Sequence, residues 1–133
     1  MSRTVSMQFG KPGGVVQNNG GGSGSSGFQF DLLWTNPNPE SNFAAQTITI
    51  DLTKYSFLLI CYNQTPTGAR WGSVFQPKDG NQYFVTIGID STSNNYYYKR
   101  AAAATDTGIA FTTGYQNTTS GGGYAIPKYI YGI

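Results

Sequence analysis

The sequence contains no histidine and a single cysteine, Cys61. Without imidazoles or paired thiolates the usual zinc and transition-metal ligand sets cannot be assembled. Ser–His and Cys–His catalytic pairs are excluded, and so is an intrachain disulfide. No metal and no cofactor are implied. Charge is also scarce, at 11% of residues where roughly 25% is usual for a globular domain. Eight Lys and Arg against six Asp and Glu leave +2, and the basic residues are scattered, only Lys99 and Arg100 being adjacent. A nucleic-acid backbone needs a concentrated basic footprint, so nucleic acid is not an expected partner. No apolar run approaches the roughly eighteen residues of a membrane-spanning helix. The opening MSRTVSMQFG lacks the apolar stretch of a secretion signal. These absences read as a chain made in a cytoplasm, without a membrane partner, that leaves the cell only as part of something larger.

What is present is aromatic. Phe, Trp and Tyr make up 15% of the 133 residues, a length that suits one domain with a real core. The composition breaks at NNGGGSGSSG, residues 18–27, a Gly/Ser-rich linker with no side chain able to hold a core. Ahead of it, residues 1–17 form a short arm in which Val5, Met7 and Phe9 alternate over one strand's length before Pro12, Gly13 and Gly14 turn the chain. One strand cannot fold alone. The arm is therefore expected to add to the sheet of another chain, with Val5, Met7 and Phe9 as docking residues; the alternative is a disordered tail.

Residues 28–133 carry the signals of an all-β domain, short alternating or apolar runs parted by Gly, Pro, Asn and Ser clusters. FQFDLLW (28–34) opens it, and the two prolines of TNPNPESN end that strand. QTITIDL (46–52) puts Ile48, Ile50 and Leu52 on one face. FLLICYN (57–63) is apolar on both faces, as a central strand would be, with Cys61 as a packed thiol. A looser stretch with an Asp79-Gly80 turn follows, then QYFVTIGID (82–90). YYYKRAAAAT (96–105) reads as a strand in spite of its four alanines, which cannot overcome helix nucleation by themselves. GIAFTTGY (108–115) pairs back on it across Asp106-Thr107-Gly108, and YAIPKYIYGI closes the domain, with Pro127 implying an edge strand or a bulge. The sum is an antiparallel β-sandwich, jelly-roll-like, of about eight strands.

Catalysis finds little support. The carboxylates Asp31, Glu40, Asp51, Asp79, Asp90 and Asp106 sit mostly at strand exits and turns, where Asp caps backbone; a converging pair of the glycosidase kind would be the one enzymatic arrangement open to the chain. No catalytic residue is assigned. Binding suits the composition better, because sugar rings stack on Trp and Tyr while amides and carboxylates bond their hydroxyls. Trp71, in a polar loop beside Arg70, is the leading ligand-binding candidate together with Tyr97. Tyr96, Tyr97 and Tyr98 cannot all point inward, since side chains alternate along a strand. Tyr96 and Tyr98, with Tyr129 and Tyr131, are read as subunit-packing residues, and Trp34 as core or interface. Many aromatics and few charges suit a chain whose apolar patches are covered by copies of itself.

Three stretches in order, LLWTNPNPESNFAAQTITIDLTKYSFLLICY, YYYKRAAAATDTGIAF and IPKYIYGI, resemble a family of small C-terminal domains on tail-fibre and minor structural proteins of bacteriophages, particularly phages of Gram-positive gut bacteria. The resemblance covers residues 32–133. It implies a β-sandwich head at the end or side of a virion appendage, often a homotrimer, and supplies no catalytic residues. Members of that family are typically the tips of longer fibres. The short arm and linker here imply instead a stand-alone fibre or decoration protein, docked on capsid or tail proteins through residues 1–17, located in the virion, and displaying its head to a host-surface or mucus glycan. A capsid or tail decoration protein with no ligand of its own is the alternative.

Overall fold

The computed structural model describes residues 3–7, 28–90 and 95–133. These form strands and connections, with no helix among them. In chain order the strands are β1 (Arg3–Met7), β2 (Phe28–Thr35), β3 (Gln46–Thr49), β4 (Phe57–Asn63), β5 (Trp71–Pro77), β6 (Gln82–Asp90), β7 (Asn95–Thr105), β8 (Gly108–Phe111), β9 (Gly114–Gln116), β10 (Thr119–Gly121) and β11 (Ile126–Gly132). Sheet A has the order β1-β2-β11-β4-β5. Sheet B has the order β10-β9-β7-β8-β3, with β6 paired to the other side of β7. All the pairings are antiparallel. The two sheets pack face to face as a β-sandwich, as the alternating runs predict. The chain crosses between sheets from β2 to β3 and back to β4, then from β5 to β6, and finally from β10 to β11; hairpins link β4 to β5, β7 to β8 and β9 to β10, while β8 and β9 follow one another along β7.

The strand density exceeds the sequence expectation, and the excess lies where turn residues hide short strands. β5 was hidden in the looser Gly- and Pro-bearing stretch, yet it pairs with β4 along all seven residues. β9 and β10 are three residues each and close a hairpin at Asn117, whose φ is +52°. β3 is shorter than QTITIDL, but Ile50 and Leu52 continue its bonding through their amides to the carbonyls of Thr107 and Asp106. The tetra-alanine run is strand throughout, in the middle of sheet B between β6 and β8. The Asp79-Gly80 turn between β5 and β6 carries a φ of +78° at Gly80, a conformation glycine adopts without a Cβ clash.

The arm expected to add to the sheet of another chain pairs within its own: Val5 and Met7 stand opposite Phe30 and Phe28, and β1 extends sheet A beside β2 as its outermost strand. The outer edge of β2 leaves a ladder of amides and carbonyls open, and the nearest strand in sequence fills it. Phe9 and the linker lie outside the described residues. The last strand, β11, is not at an edge; it runs between β2 and β4. Pro127 is tolerated there because the pairing with β2 begins only at Tyr129, and because the register with β4 shifts between Pro127 and Tyr129. The bulge alternative holds and the edge alternative does not.

The core lies between the sheets. Leu58, Ile60 and Tyr62 of β4 and Ile126 and Ile130 of β11 face Val85, Ile87, Ala102, Ala104, Ile109 and Phe111 of sheet B. Trp34, Phe43, Phe111 and Tyr62 continue it as a chain of edge-to-face rings, with centroids 6.2, 5.5 and 6.3 Å apart in turn, spacings in which aromatic pairs gain beyond their buried area. At one end of this core sits Arg100, 0% exposed. Its guanidinium donates to the carbonyls of Phe43, Thr112, Gly122, Tyr124 and Ala125 and stacks 5.3 Å from the ring of Phe43. Burial draws its pKa down to about 10, so it stays charged at neutral pH. The fork of five N–H groups suits carbonyls converging from several loops, and Arg100 thereby ties the 43, 112 and 122–125 segments to β7.

Candidate functional site

The outer face of sheet A is set by alternation on its strands. On β4 the inward Leu58, Ile60 and Tyr62 leave Phe57, Leu59, Cys61 and Asn63 outside. Opposite them on β5 stand Pro77, Phe75, Ser73 and Trp71 in register. On the other side of β4, Tyr131 pairs with Leu59 and Tyr129 with Cys61. The result is a face whose strand β5 reads Trp71, Ser73, Phe75, with Trp71 71% and Phe75 54% exposed. Phe75 stacks on Phe57 at 5.1 Å with planes 18° apart. At the Trp71 end a shallow cleft of about 240 Å³ is lined by Cys61, Tyr62, Asn63, Trp71, Lys128 and Tyr129.

Each lining residue arrives there for a local reason. Trp71 opens β5 directly across from Asn63. The turn between them is fastened by the Gln64 amide donating to the Arg70 carbonyl at 2.9 Å. Gly72, next to Trp71, faces inward, where a Cβ would meet Ile87 at 2.9 Å; inward Gly72 leaves Trp71 outward. Lys128 is the residue left over by the register shift in β11, between Pro127 opposite Tyr62 and Tyr129 opposite Cys61. A bulge re-aims side chains, and here it turns the Lys128 ammonium to 5.5 Å from the Tyr129 ring centre. Cys61 is half-buried on this outer face, not in the core as its apolar run suggested. Burial pushes its thiol pKa up, which leaves it a poor nucleophile.

The structure separates the residues that the sequence grouped. Trp71 is exposed as expected, but on a strand and not in a loop. Arg70 is exposed beside it in the chain. Tyr97 does not join them: it points outward from β7 in sheet B, the opposite face of the sandwich, because its neighbour Tyr98 points into the core. Tyr98, 7% exposed, accepts a hydrogen bond from Gln116 and packs against Tyr124. Tyr98, read as a subunit-packing residue, is thus corrected to packing within its own chain, while Tyr96 is partly buried against the same core. Tyr129 and Tyr131 do lie on an outer face, their ring centres 6.1 Å apart, and Trp34 is packed against the core.

A second aromatic group occupies the outer face of sheet B, where Lys99 sits 5.7 Å from the Phe84 ring and 5.5 Å from that of Tyr115. The described residues contain no cluster of three or more metal-ligating side chains. Four of their carboxylates serve turns and pairs. Asp51 bonds Thr53, Asp79 bonds Asn81 and Tyr83, Asp31 accepts from Tyr55, and Asp106 pairs with Lys78 at 2.6 Å.

Lys128 is the functional candidate that the sequence reading missed. The signal was there in its parity: Ile126, Lys128 and Ile130 would share one face of an unbroken strand, and an ammonium cannot sit unpaired between two core isoleucines.

Compared with known protein families, with curated proteins and with solved structures, the chain matches none.

Proposed function

We propose that the chain is a bacteriophage virion protein whose β-sandwich head binds a host-surface or environmental glycan in the Trp71 cleft. The virion assignment rests on the resemblance across residues 32–133. The observation that carries the binding reading is the exposed indole of Trp71 beside a cleft with Asn63 and Lys128 in its wall. An indole lying open to solvent offers its face to the C–H side of a sugar ring, and the amide of Asn63 can both donate to and accept from its hydroxyls. Single sites of this size are weak, and several heads on one particle would multiply them; a homotrimer is the assembly we favour. Glycan-array screening of the full chain tests the reading. Binding that Trp71→Ala abolishes, with thermal unfolding unchanged, supports it; an array without signal counts against it.

A second reading has its own observation. Phe57 and Phe75, stacked and both exposed on the same face, would suit a neighbouring protein in the particle, as for a decoration or assembly protein without a ligand. Particles that assemble poorly without the chain, coupled to a silent glycan array, would favour that role.

A further inference from the structure

We propose that the Trp71 cleft selects an anionic sugar, one carrying a carboxylate or a phosphate, with Lys128 as the counter-charge. The inference rests on the glycan reading above and specifies its ligand class. Its basis is the bulge in β11. Ile126 and Ile130 are fully buried, and strict alternation would bury position 128 with them. The register shift between Pro127 and Tyr129 instead delivers Lys128 to the outer face, where it joins the wall of the cleft. The irregularity falls in a strand that is flanked on both sides, where an unbroken ladder would pair more backbone groups. Keeping it places one cation next to the exposed indole.

Charge complementarity then narrows the occupant. Of the six residues that line the cleft, Lys128 is cationic and none is acidic. The Lys128 Nζ lies 5.5 Å from the Tyr129 ring centre, a cation–π distance that restrains the ammonium without consuming its hydrogen-bond donors. A neutral sugar would use the indole and Asn63 alone. An anionic one uses the ring stack and the charge together, and gains faster encounter from the positive field.

The test is calorimetric titration of the full chain with three probes of similar length: oligogalacturonate, a poly(glycerol phosphate) and a neutral dextran oligosaccharide. The expected result is tighter binding of an anionic probe than of dextran, weakening as salt rises. Lys128→Gln should cost that probe about fivefold in affinity and flatten its salt dependence, while Lys128→Arg keeps both. The uronate and phosphate arms tell the two anion sources apart. Equal affinity for dextran and the anionic probes, unaltered in Lys128→Gln but lost in Trp71→Ala, would overturn the charge preference and leave the glycan reading standing. Failure of all three probes to bind would overturn both. Thermal unfolding of each variant checks that the head is intact.

Discussion

Arg100 donates from Nε to the carbonyl oxygen of Ala125 at 2.7 Å, and Ala125 holds a φ of +50°. A left-handed conformation is unfavourable for alanine by roughly 1 kcal/mol, so the bond and the conformation are coupled: the loop before β11 bends as it does with its carbonyls turned onto the guanidinium. Gly114 makes room for the same loop, since a Cβ there would collide with the Tyr124 carbonyl.

Arg100→Lys should therefore destabilise the head severely, by about 3–5 kcal/mol, although the charge is retained. A lysine can donate three bonds from one point and cannot serve five carbonyls spread across several segments. Chemical denaturation read by tryptophan fluorescence checks this; a loss under about 1 kcal/mol would mean that the carbonyls find other donors.

Tyr62 presents the opposite case. Its hydroxyl is buried and finds no hydrogen-bond partner among the described residues, and burial pushes its pKa upward. Removing an unsatisfied buried hydroxyl is neutral or favourable, so Tyr62→Phe is expected to hold or raise stability by up to about 1 kcal/mol. A clear fall in the unfolding midpoint would contradict it.

Deleting residues 129–133, YIYGI, should leave the protein insoluble. Those residues supply most of the strand that joins β2 to β4 and include Ile130, fully buried. Ile133 also exchanges backbone hydrogen bonds with Phe57. Recovery of a soluble truncated chain with native-like circular dichroism would be inconsistent with β11 as the centre of sheet A.

Stability should vary little between about pH 5 and about pH 8, because no histidine is present to titrate. Hydrogen bonds hold two carboxyl pKa values below 3.8, from Thr53 first for Asp51 and from Tyr83 first for Asp79. Their contribution is complete above 3.8 and is lost as the pH falls through the lowered values. At the alkaline end, burial and then the bond to Asp31 push Tyr55 up to about 12, so its contribution is complete below 10 and disappears as the pH rises from 10 through about 12. Unfolding midpoints measured across this range should trace a flat top with two shoulders; a step near pH 6.5 would not fit.

The fold was legible in the sequence wherever apolar periodicity and turn chemistry agreed. β4 announced itself as a central strand because both its faces are apolar, and β7 kept strand geometry through four alanines because Tyr96 to Tyr98 and the Asp106-Thr107 turn bracket them. Agreement failed where packing set the rules. β5 carries Gly72, Ser73 and Gln76, which depress any strand signal, yet Gly72 is needed beneath Ile87 and the Gln76 amide bonds the Ala102 carbonyl at 3.0 Å. Arg100 read only as one of two adjacent cations because a single sequence does not disclose five carbonyls converging from distant loops. At the candidate site, Trp71 was legible as an exposed aromatic. Lys128 was not, since its position depends on a bulge that shows only when the register with β4 is known. Tyr97 was misgrouped for the same reason: outward-pointing residues of two sheets look alike until strands are assigned to faces.

The place of β11 in sheet A bears on the order in which the head can be built. β2 and β4 leave the ribosome long before the strand that lies between them. Until residues 126–132 have been synthesised, β2 and β4 both lack the strand that joins them in the folded sheet, and each is left with an open edge. Sheet A therefore closes late and by insertion. A nascent chain stalled before Ile126 should be the species that chaperones hold and that aggregates most readily.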